Sequence, residues 1–317
     1  MNNKQKYKTL CTQRSDIPLF MQAWWLDAVS VSGEWNVLLY EERDKIIGVL
    51  PYYLIKNYGF QIISQPPLTQ YNGIWIDYPE NQKLHKRYSF EKRVMDNLIA
   101  QLENLKVDFY SQNFHYSFTN WQPFYWRNFR QTTRYTYQIK DLKKLETAFQ
   151  SFNHAKRKHI NKEDNLQIDF FLSAENFYDF HKQCLKQRNS KIEYSKNFFL
   201  TIYKEAIRRE QGKIFAIKDK NNIHAALFVV WDNNSAYSLI SAINLQFKND
   251  GSSTKIFWEA IKFVAEKIQI FDFEGSMIEG VAQSFQQFGT EQTPYFNISK
   301  SYSKIFSFLK AIKNIIR

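Results

Sequence analysis

Cysteine is almost missing from this sequence: Cys11 and Cys184 are the only two in 317 residues. They stand far apart and make no metal-ligand spacing. That excludes a disulfide framework, points to a reduced, cytoplasmic setting and leaves no expected metal. Long apolar runs are missing as well. None approaches the ~18 residues of a membrane span, and the N-terminal Met-Asn-Asn-Lys-Gln-Lys-Tyr-Lys leads into no apolar stretch, so no secretory signal is expected. Acidic residues are in deficit, 31 against 43 Lys and Arg, for a net charge of +12. The excess favours anionic partners such as phosphates, tRNA or an anionic membrane surface. A composition bias toward Lys, Asn, Ile, Phe and Tyr would give the same excess with no partner at all. No nucleic-acid-binding motif is recognisable, so nucleic acid is not an expected partner.

What is present is enough for two domains of ordinary size, with 44% hydrophobic and 17% aromatic residues. Residues 18–30 read as a helix, with Asp16 as its cap and Pro18 in its first turn. Residues 35–40 and 45–54 read as a hairpin about the charged turn 41–44, and Phe60-Gln-Ile-Ile-Ser64 as a third strand. Two prolines end it in Gln65-Pro-Pro-Leu-Thr-Gln-Tyr-Asn-Gly73. A helix follows at 88–105, strands at 107–110 and 135–139, and a basic helix over 142–160. The pattern then recurs. Residues 214–230 lie on residues 37–53 without a gap, an offset of 177, and 60–64 then fall on 237–241. This reads as an internal repeat of one α/β unit.

The second copy carries the most informative stretch, residues 235–296. A strand-like run leads to the polar loop Lys248-Asn-Asp-Gly251-Ser-Ser253. Ile256, Phe257, Ala260, Ile261, Val264 and Ile268 then recur at helical spacing. A short strand, Ile270-Phe-Asp-Phe-Glu-Gly275, a helix over 278–288 stopping at Gly289, and a strand over 294–298 complete it. Gly251 lets the backbone approach a ligand, Ser252 and Ser253 can cap the helix, and a helix N-terminus suits a pyrophosphate. An ordinary well-capped strand-to-helix loop has the same sequence features.

Strand, polar loop, helix, strand, helix, strand is the order of the acyl-CoA-binding half of GNAT acyltransferases. Over residues 18–298 the chain resembles the Fem-like branch of that superfamily, which pairs two GNAT domains. The pieces carrying the likeness are Trp24-Trp25-Leu-Asp-Ala-Val29, Pro66-Pro-Leu-Thr-Gln-Tyr-Asn-Gly73, Asn120-Trp-Gln-Pro-Phe-Tyr-Trp126, Arg157-Lys158-His-Ile160, Phe271-Asp-Phe-Glu-Gly275 and Phe288-Gly289. The resemblance implies an α/β fold with α+β mixed sheets, two tandem GNAT-like domains and a cleft between them. It sets an N-terminal domain at 1–141 and a C-terminal domain at 142–298, followed by a basic amphipathic helix at 299–317. Two features depart from the family. Its Gln/Arg-x-x-Gly-x-Gly/Ala loop reads Lys248 to Ser253 here. Its Phe-Lys-x-x-Phe/Tyr-Gly segment reads Ser284-Phe285-Gln-Gln-Phe288-Gly289, so Phe285 stands where a charge-stabilising lysine is expected.

The implied function is an N-acyltransferase moving an acyl or aminoacyl group to an amine of a cell-envelope or saccharide-type substrate, with peptidoglycan precursors the family's example. The alternative is a non-catalytic double-GNAT binding or scaffold protein. Acyl-CoA is the favoured donor and aminoacyl-tRNA the less favoured, because a phenyl ring at 285 cannot meet an oxyanion. Acyl transfer to an amine needs a base. Glu274, beside Gly275, is the better-placed candidate and Asp272 the second; as strand residues two apart they share a face. Both could instead cap helices or pair with lysines. Tyr237 is a candidate acid toward the leaving group, as is Tyr295. Lys248, Gly251, Ser252 and Ser253 are the candidate donor loop. Trp25, Thr69, Gln70, Tyr71, Arg157 and Lys158 are candidate contacts to a small-molecule, lipid-linked or nucleotide-linked saccharide. Trp121 and Trp126 could also stack on a sugar. For the tryptophans a core role competes, and for the basic cluster Lys156–Lys158 and Lys162 a solvated helix end. In the tail, Ile305, Phe308, Leu309, Ile312 and Ile316 form one apolar stripe, flanked by Lys300, Lys304, Lys310, Lys313 and Arg317 with no acidic residue. That pattern suits a helix lying on the inner, anionic membrane face, or one docking on the chain's own first domain.

Overall fold

The computed structural model describes residues 1–275 and 277–315, with side chains described to 310. In chain order the first elements are α1 (Asn3–Gln13), α2 (Ala23–Val29), β1 (Glu34–Glu42), β2 (Lys45–Asn57), β3 (Phe60–Ser64), β4 (Trp75–Ile76), α3 (Leu84–Asn104), β5 (Phe109–Asn113), α4 (Gln122–Trp126) and β6 (Arg130–Ile139). There follow α5 (Leu145–Ser151), α6 (His154–Asn161), β7 (Gln167–Asp169), α7 (Ala174–Gln187), α8 (Lys196–Arg208), β8 (Gly212–Lys218), β9 (Ile223–Trp231) and β10 (Ser235–Ile243). The last are α9 (Ser252–Ala265), β11 (Ile270–Asp272), α10 (Glu279–Gln286), β12 (Glu291–Ser301) and α11 (Lys304–Ile315). The chain divides into two compact units. Residues 1–134 with those from 294 onward make the first, and residues 135–293 the second. The expected boundaries at 141 and 298 differ because the second half of β6 belongs to the second unit, while most of the last strand returns to the first.

In the first unit β1, β2 and β3 are antiparallel neighbours, β3 runs parallel to β5, and β5 pairs antiparallel with β12. Alternation along β1 and β2 sends residues to opposite faces. Leu38, Leu50 and Tyr52 meet Val94, Leu98, Ile99 and Leu102 of α3 on one side. Trp35, Val37, Val49 and Tyr53 meet Tyr7 of α1 and Leu26 of α2 on the other. A fully buried Leu98 contributes about 1.5–3 kcal/mol, so its loss to Ala costs about 2–5 kcal/mol. Leading the chain into this layer, the expected helix over 18–30 is a short 3₁₀ turn, Leu19–Met21, followed by α2. Asp16 does not cap it; its carboxylate takes Arg14 and the indole of Trp75.

The second unit repeats the plan. β8, β9 and β10 are antiparallel neighbours, β10 is parallel to β11, and β11 pairs antiparallel with β6. Short β7 adds an outer strand against β8. The six apolar residues of 256–268 named from their spacing all lie in its core, against Phe215, Leu227, Val229 and Phe271.

The two hairpins match pair for pair. Val37 faces Pro51 and Ile214 faces Phe228; Tyr40 faces Gly48 and Ile217 faces Ala225. Even the bulge recurs, at Tyr40/Glu41 and at Ile217/Lys218. The third strand does not keep that register. Tyr53 faces Ser64, but its counterpart Val230 faces Tyr237 rather than Ser241. In the first unit β2 runs on to Asn57 and turns at Tyr58-Gly59, both left-handed. In the second the turn closes earlier, because the Asp232 carboxylate takes the N–H groups of Asn234 and Ser235.

Two further expectations change. The single helix over 142–160 is split, because Phe152 is extended and Asn153 caps a new helix by accepting the Lys156 N–H at 2.8 Å. The strand over 270–275 stops at Asp272. Glu274 turns left-handed (φ 61°) and gives its N–H to Asp272 Oδ1 at 2.8 Å. Asp272 and Glu274 therefore do not share a strand face.

Candidate active site

The polar centre of the second unit lies where β11 ends. Asp272 is fully buried and accepts from Thr136, from Gln138 Nε2 at 2.8 Å and from the Glu274 N–H. Thr136 and Gln138 are alternate residues of β6 and share one face of that strand. These two partners were not among the expected site residues; the signal for them is the polar alternation in Thr136-Tyr-Gln138, beside a strand ending in two acids. Asp272 is thus held as a buried acceptor with its bonds filled.

Glu274 differs. Its Oε1 is closed off from solvent and has no hydrogen-bond partner among the described residues. Burial, with the Asp272 carboxylate beside it, pushes its carboxyl well above the usual carboxylate range. A carboxyl raised in this way is suited to taking a proton from an amine nearer neutral pH. Tyr237 is fully buried on β10, facing Asp272 across the parallel pair.

Lys156 is the residue that sequence reasoning left inside a cluster. Arg157 Nη1 donates to the backbone carbonyl and to the side-chain Oε1 of Gln150, both at 3.0 Å, and Lys158 is exposed. Lys156, by contrast, is buried on α6, with Nζ over the ring of Phe288 at 4.3 Å and 3.4 Å from Ser284 Oγ. Burial pushes its ammonium down to about 8. No carboxylate lies within ion-pair distance of it among the described residues. The signal was available: Lys156 and Ile160 are one helical turn apart on the face that meets the core. Phe288 packs 4.9 Å from Phe273, the neighbour of Glu274, and Phe285 lies 5.2 Å from the same ring. Gly289 closes α10 in the left-handed region (φ 65°), against Ser151 of α5.

The donor loop is built otherwise than its sequence suggests. Gly251 takes the N-cap of α9 in the left-handed region (φ 92°), and a Cβ there would lie 2.9 Å from His159. Neither serine caps the helix. Asp250 does, accepting the Ser252 N–H at 2.8 Å, while its other oxygen lies 2.6 Å from His224 Nδ1. A carboxylate thus already stands where a pyrophosphate would bind, so this arrangement does not fit one. Lys248 follows a short 3₁₀ turn that His224 stacks against through Phe247.

In the first unit the expected contact residues are mostly interior. Trp25 is fully buried and donates its indole N–H to Thr69 Oγ1 at 2.9 Å. Tyr71 is fully buried among Phe20, His115, Tyr116 and Tyr295. Gln70 is half-buried and its carbonyl takes Asn113 Nδ2. Trp25 and Tyr71 present no face to a sugar; they hold the Pro66–Gly73 loop. Trp126 is exposed. Among the described residues no cluster of His, Cys, Asp and Glu is placed to hold a metal, and no helix is long and apolar enough to cross a membrane. A groove on the second unit lined by Phe170, Ile207, Lys213, Trp231, Phe263 and Lys267 contains none of the candidate residues.

In α11, Phe306 packs on Phe60 and Phe109, and Lys310 Nζ sits 3.8 Å above the Phe109 ring. Ile305, Phe308 and Leu309 of the expected stripe are exposed. The side chains of Ile312, Lys313, Ile316 and Arg317 lie outside those described.

No family model matches the sequence, and no curated protein does. Solved structures do. The crystal structure of FemX matches with a TM-score of 0.71 at 10% identity, over 93% of this chain and 96% of that one. L-PGS from Bacillus licheniformis matches with a TM-score of 0.56 at 9% identity, over 98% and 96%. A tandem GNAT protein from the clavulanic acid biosynthesis pathway matches with a TM-score of 0.54 at 6% identity, over 88% and 94%. At these identities the likeness shows the fold alone: two α/β units of one topology, like those of FemX and the tandem GNAT protein.

Proposed function

We propose that the protein is an N-acyltransferase that moves an acyl or aminoacyl group to an amine of a cell-envelope or saccharide-type acceptor. The observation that carries this reading is Glu274: a half-buried side chain at a strand end whose Oε1 is closed from solvent and has no partner among the described residues, with its proton affinity raised. Folding gains nothing from such a group, since a buried polar atom without a bond costs free energy. A base for the acceptor amine explains its retention. Asp272 positions it, through the N–H of Glu274 and through its charge. The solved structures of like fold include FemX and L-PGS, which supports a transferase and an envelope-type acceptor.

A second reading, a binding or scaffold protein, is favoured by one observation, the Asp250 cap at the expected pyrophosphate site. The same cap also allows an acyl donor held elsewhere. The test is a donor panel of acetyl-CoA, long-chain acyl-CoA and charged tRNA against amino-sugar and lipid-linked amine acceptors, read by mass spectrometry of the products. Turnover in the wild type with a loss of about 10²–10⁴-fold in Glu274→Gln, donor affinity kept, supports the enzyme. A fully active Glu274→Gln removes Glu274 from the chemistry; a wild type inactive with every pair leaves the scaffold.

A further inference from the structure

Acyl transfer builds negative charge on the carbonyl oxygen, and a site that speeds it needs donors aimed at that oxygen. Phe285, where the resemblance expects a cation, offers none. Its neighbours do. Lys156 Nζ lies 3.4 Å from Ser284 Oγ, so an ammonium and a hydroxyl converge one residue before Phe285, and they reach that point from two separate helices.

We propose that Lys156, with Ser284, forms the oxyanion-stabilising site of the second unit, the cation being supplied from α6. The inference rests on the acyltransferase reading and names the group that reading lacks. An ammonium under an aromatic ring, with a hydroxyl as its polar contact, is costly to bury, and buried charges are ordinarily paired. The acids on the helices about it are engaged elsewhere: Glu146 of α5 accepts from Gln150 and Glu259 of α9 pairs with Lys262. Lys255 of α9 pairs with Asp164, Arg157 bonds Gln150, and Glu279 of α10 accepts from Gln283. The missing counter-charge is therefore one that a substrate brings. A single ammonium with one hydroxyl suits one oxygen acquiring charge, rather than a phosphate dianion that needs several donors.

The step balances as follows. The acceptor nitrogen bonds to the acyl carbon, and the carbonyl π pair moves to the oxygen, which faces Lys156 Nζ and Ser284 Oγ. Glu274 takes a proton from the nitrogen. The pair returns, the bond from carbon to the leaving sulfur or oxygen breaks, and the leaving atom receives the proton from Glu274.

The experiment compares wild type, Lys156→Met, Lys156→Arg and Ser284→Ala with whichever donor and acceptor the panel finds, measuring kcat, KM and the pH profile alongside the melting temperature. Lys156→Met is expected to lower kcat by about 10²–10³-fold with KM for the donor nearly unchanged. Lys156→Arg should recover part of it. The wild-type rate should fall as the ammonium deprotonates near pH 8. That limb should be missing in Lys156→Arg, a change that a packing role would not produce. Full activity in Lys156→Met, or the same alkaline limb in Lys156→Arg, overturns the proposal while leaving the acyltransferase standing. A wild type that transfers nothing overturns both.

Discussion

The two units share a hairpin down to its bulge, yet treat their buried acids differently. At the end of β5 Gln112 is fully buried and used twice. It accepts from Tyr110 at 2.8 Å and donates to the Pro51 carbonyl at 3.0 Å. The first unit's buried acid, Glu91, is met by Arg87, Tyr78 and Asn120. At the end of β11 the second unit places two acids in sequence reach of each other, and fills the bonds of only one. It also buries a lysine with no acid beside it. One topology thus surrounds its buried acid with donors in one copy and, in the other, leaves one of two neighbouring acids open through Oε1 among the described residues. Stability and chemistry draw on the same interior, and the repeat separates them.

The sharpest way to break that comparison is to remove the buried acceptor from each copy. Asp272→Ala strands Thr136, Gln138 and the Glu274 N–H, and should cost about 4 kcal/mol in denaturant unfolding. Gln112→Ala strands fewer groups and should cost about 2 kcal/mol. The milder Asp272→Asn should act on chemistry instead. Burial raises the Glu274 carboxyl most and the Asp272 charge adds to it, so removing that charge should move the ascending limb of the pH–rate profile part of the way to lower pH. Equal costs for the two alanine variants would mean that the copies are not differentiated as described.

The next effect has the opposite sign. The Lys156 ammonium is lowered from 10.5 to about 8, so between those values the unfolded chain holds a proton the folded chain has released, and stability rises with pH. Below pH 8 the folded state carries the full cost of the buried charge. Lys156→Met should therefore stabilise the protein at pH 7 by roughly 3 kcal/mol, with the gain shrinking as pH rises from about 8 to 10.5. Thermal melts across that range would show it. A destabilised Lys156→Met at pH 7 would make the lysine a structural residue, and with it the contrast between the units would weaken.

What the sequence made legible was periodic. The core face of α9, the hairpins and their register follow from alternation and helical spacing, which local side-chain patterns set directly. The third-strand register was not legible, because it is fixed by where a turn closes, and Asp232 decides that with two hydrogen bonds. Lys156 hid in a basic run, since charge alone does not say which of adjacent lysines faces inward; Asn153 settles it by starting α6 anew. The loop at Gly251 has its glycine in the left-handed region, but the Ser252 N–H at the helix end goes to Asp250, which the glycine and serine pattern does not announce. Trp25 and Tyr71 are candidate ligand contacts in the sequence, with a core role competing for Trp25, and both lie in the interior, the usual fate of large rings that find a partner.

The smallest effect belongs to α11, which belongs to the first unit and leaves an apolar face open. Phe306 alone of its described apolar residues docks, between Phe60 and Phe109, while Ile305, Phe308 and Leu309 face outward. The segment carries lysines and no acid. We propose that this open face rests on an anionic membrane surface, where apolar area and positive charge add. The paired substitution Phe308→Ser with Leu309→Ser removes exposed area only, so the melting temperature should stay within the ~0.5 kcal/mol typical of surface changes. Its binding to phosphatidylglycerol vesicles at low salt should fall severalfold. Phe306→Ser should do the reverse, lowering the melting temperature through the lost ring contacts. Wild-type binding should also weaken with added salt, since the lysines act through a screened field. Protein that ignores anionic vesicles at low salt, or a double-serine variant that binds them as well as wild type, would remove the membrane from the account and leave α11 as a helix held, among its described side chains, by Phe306 and Lys310.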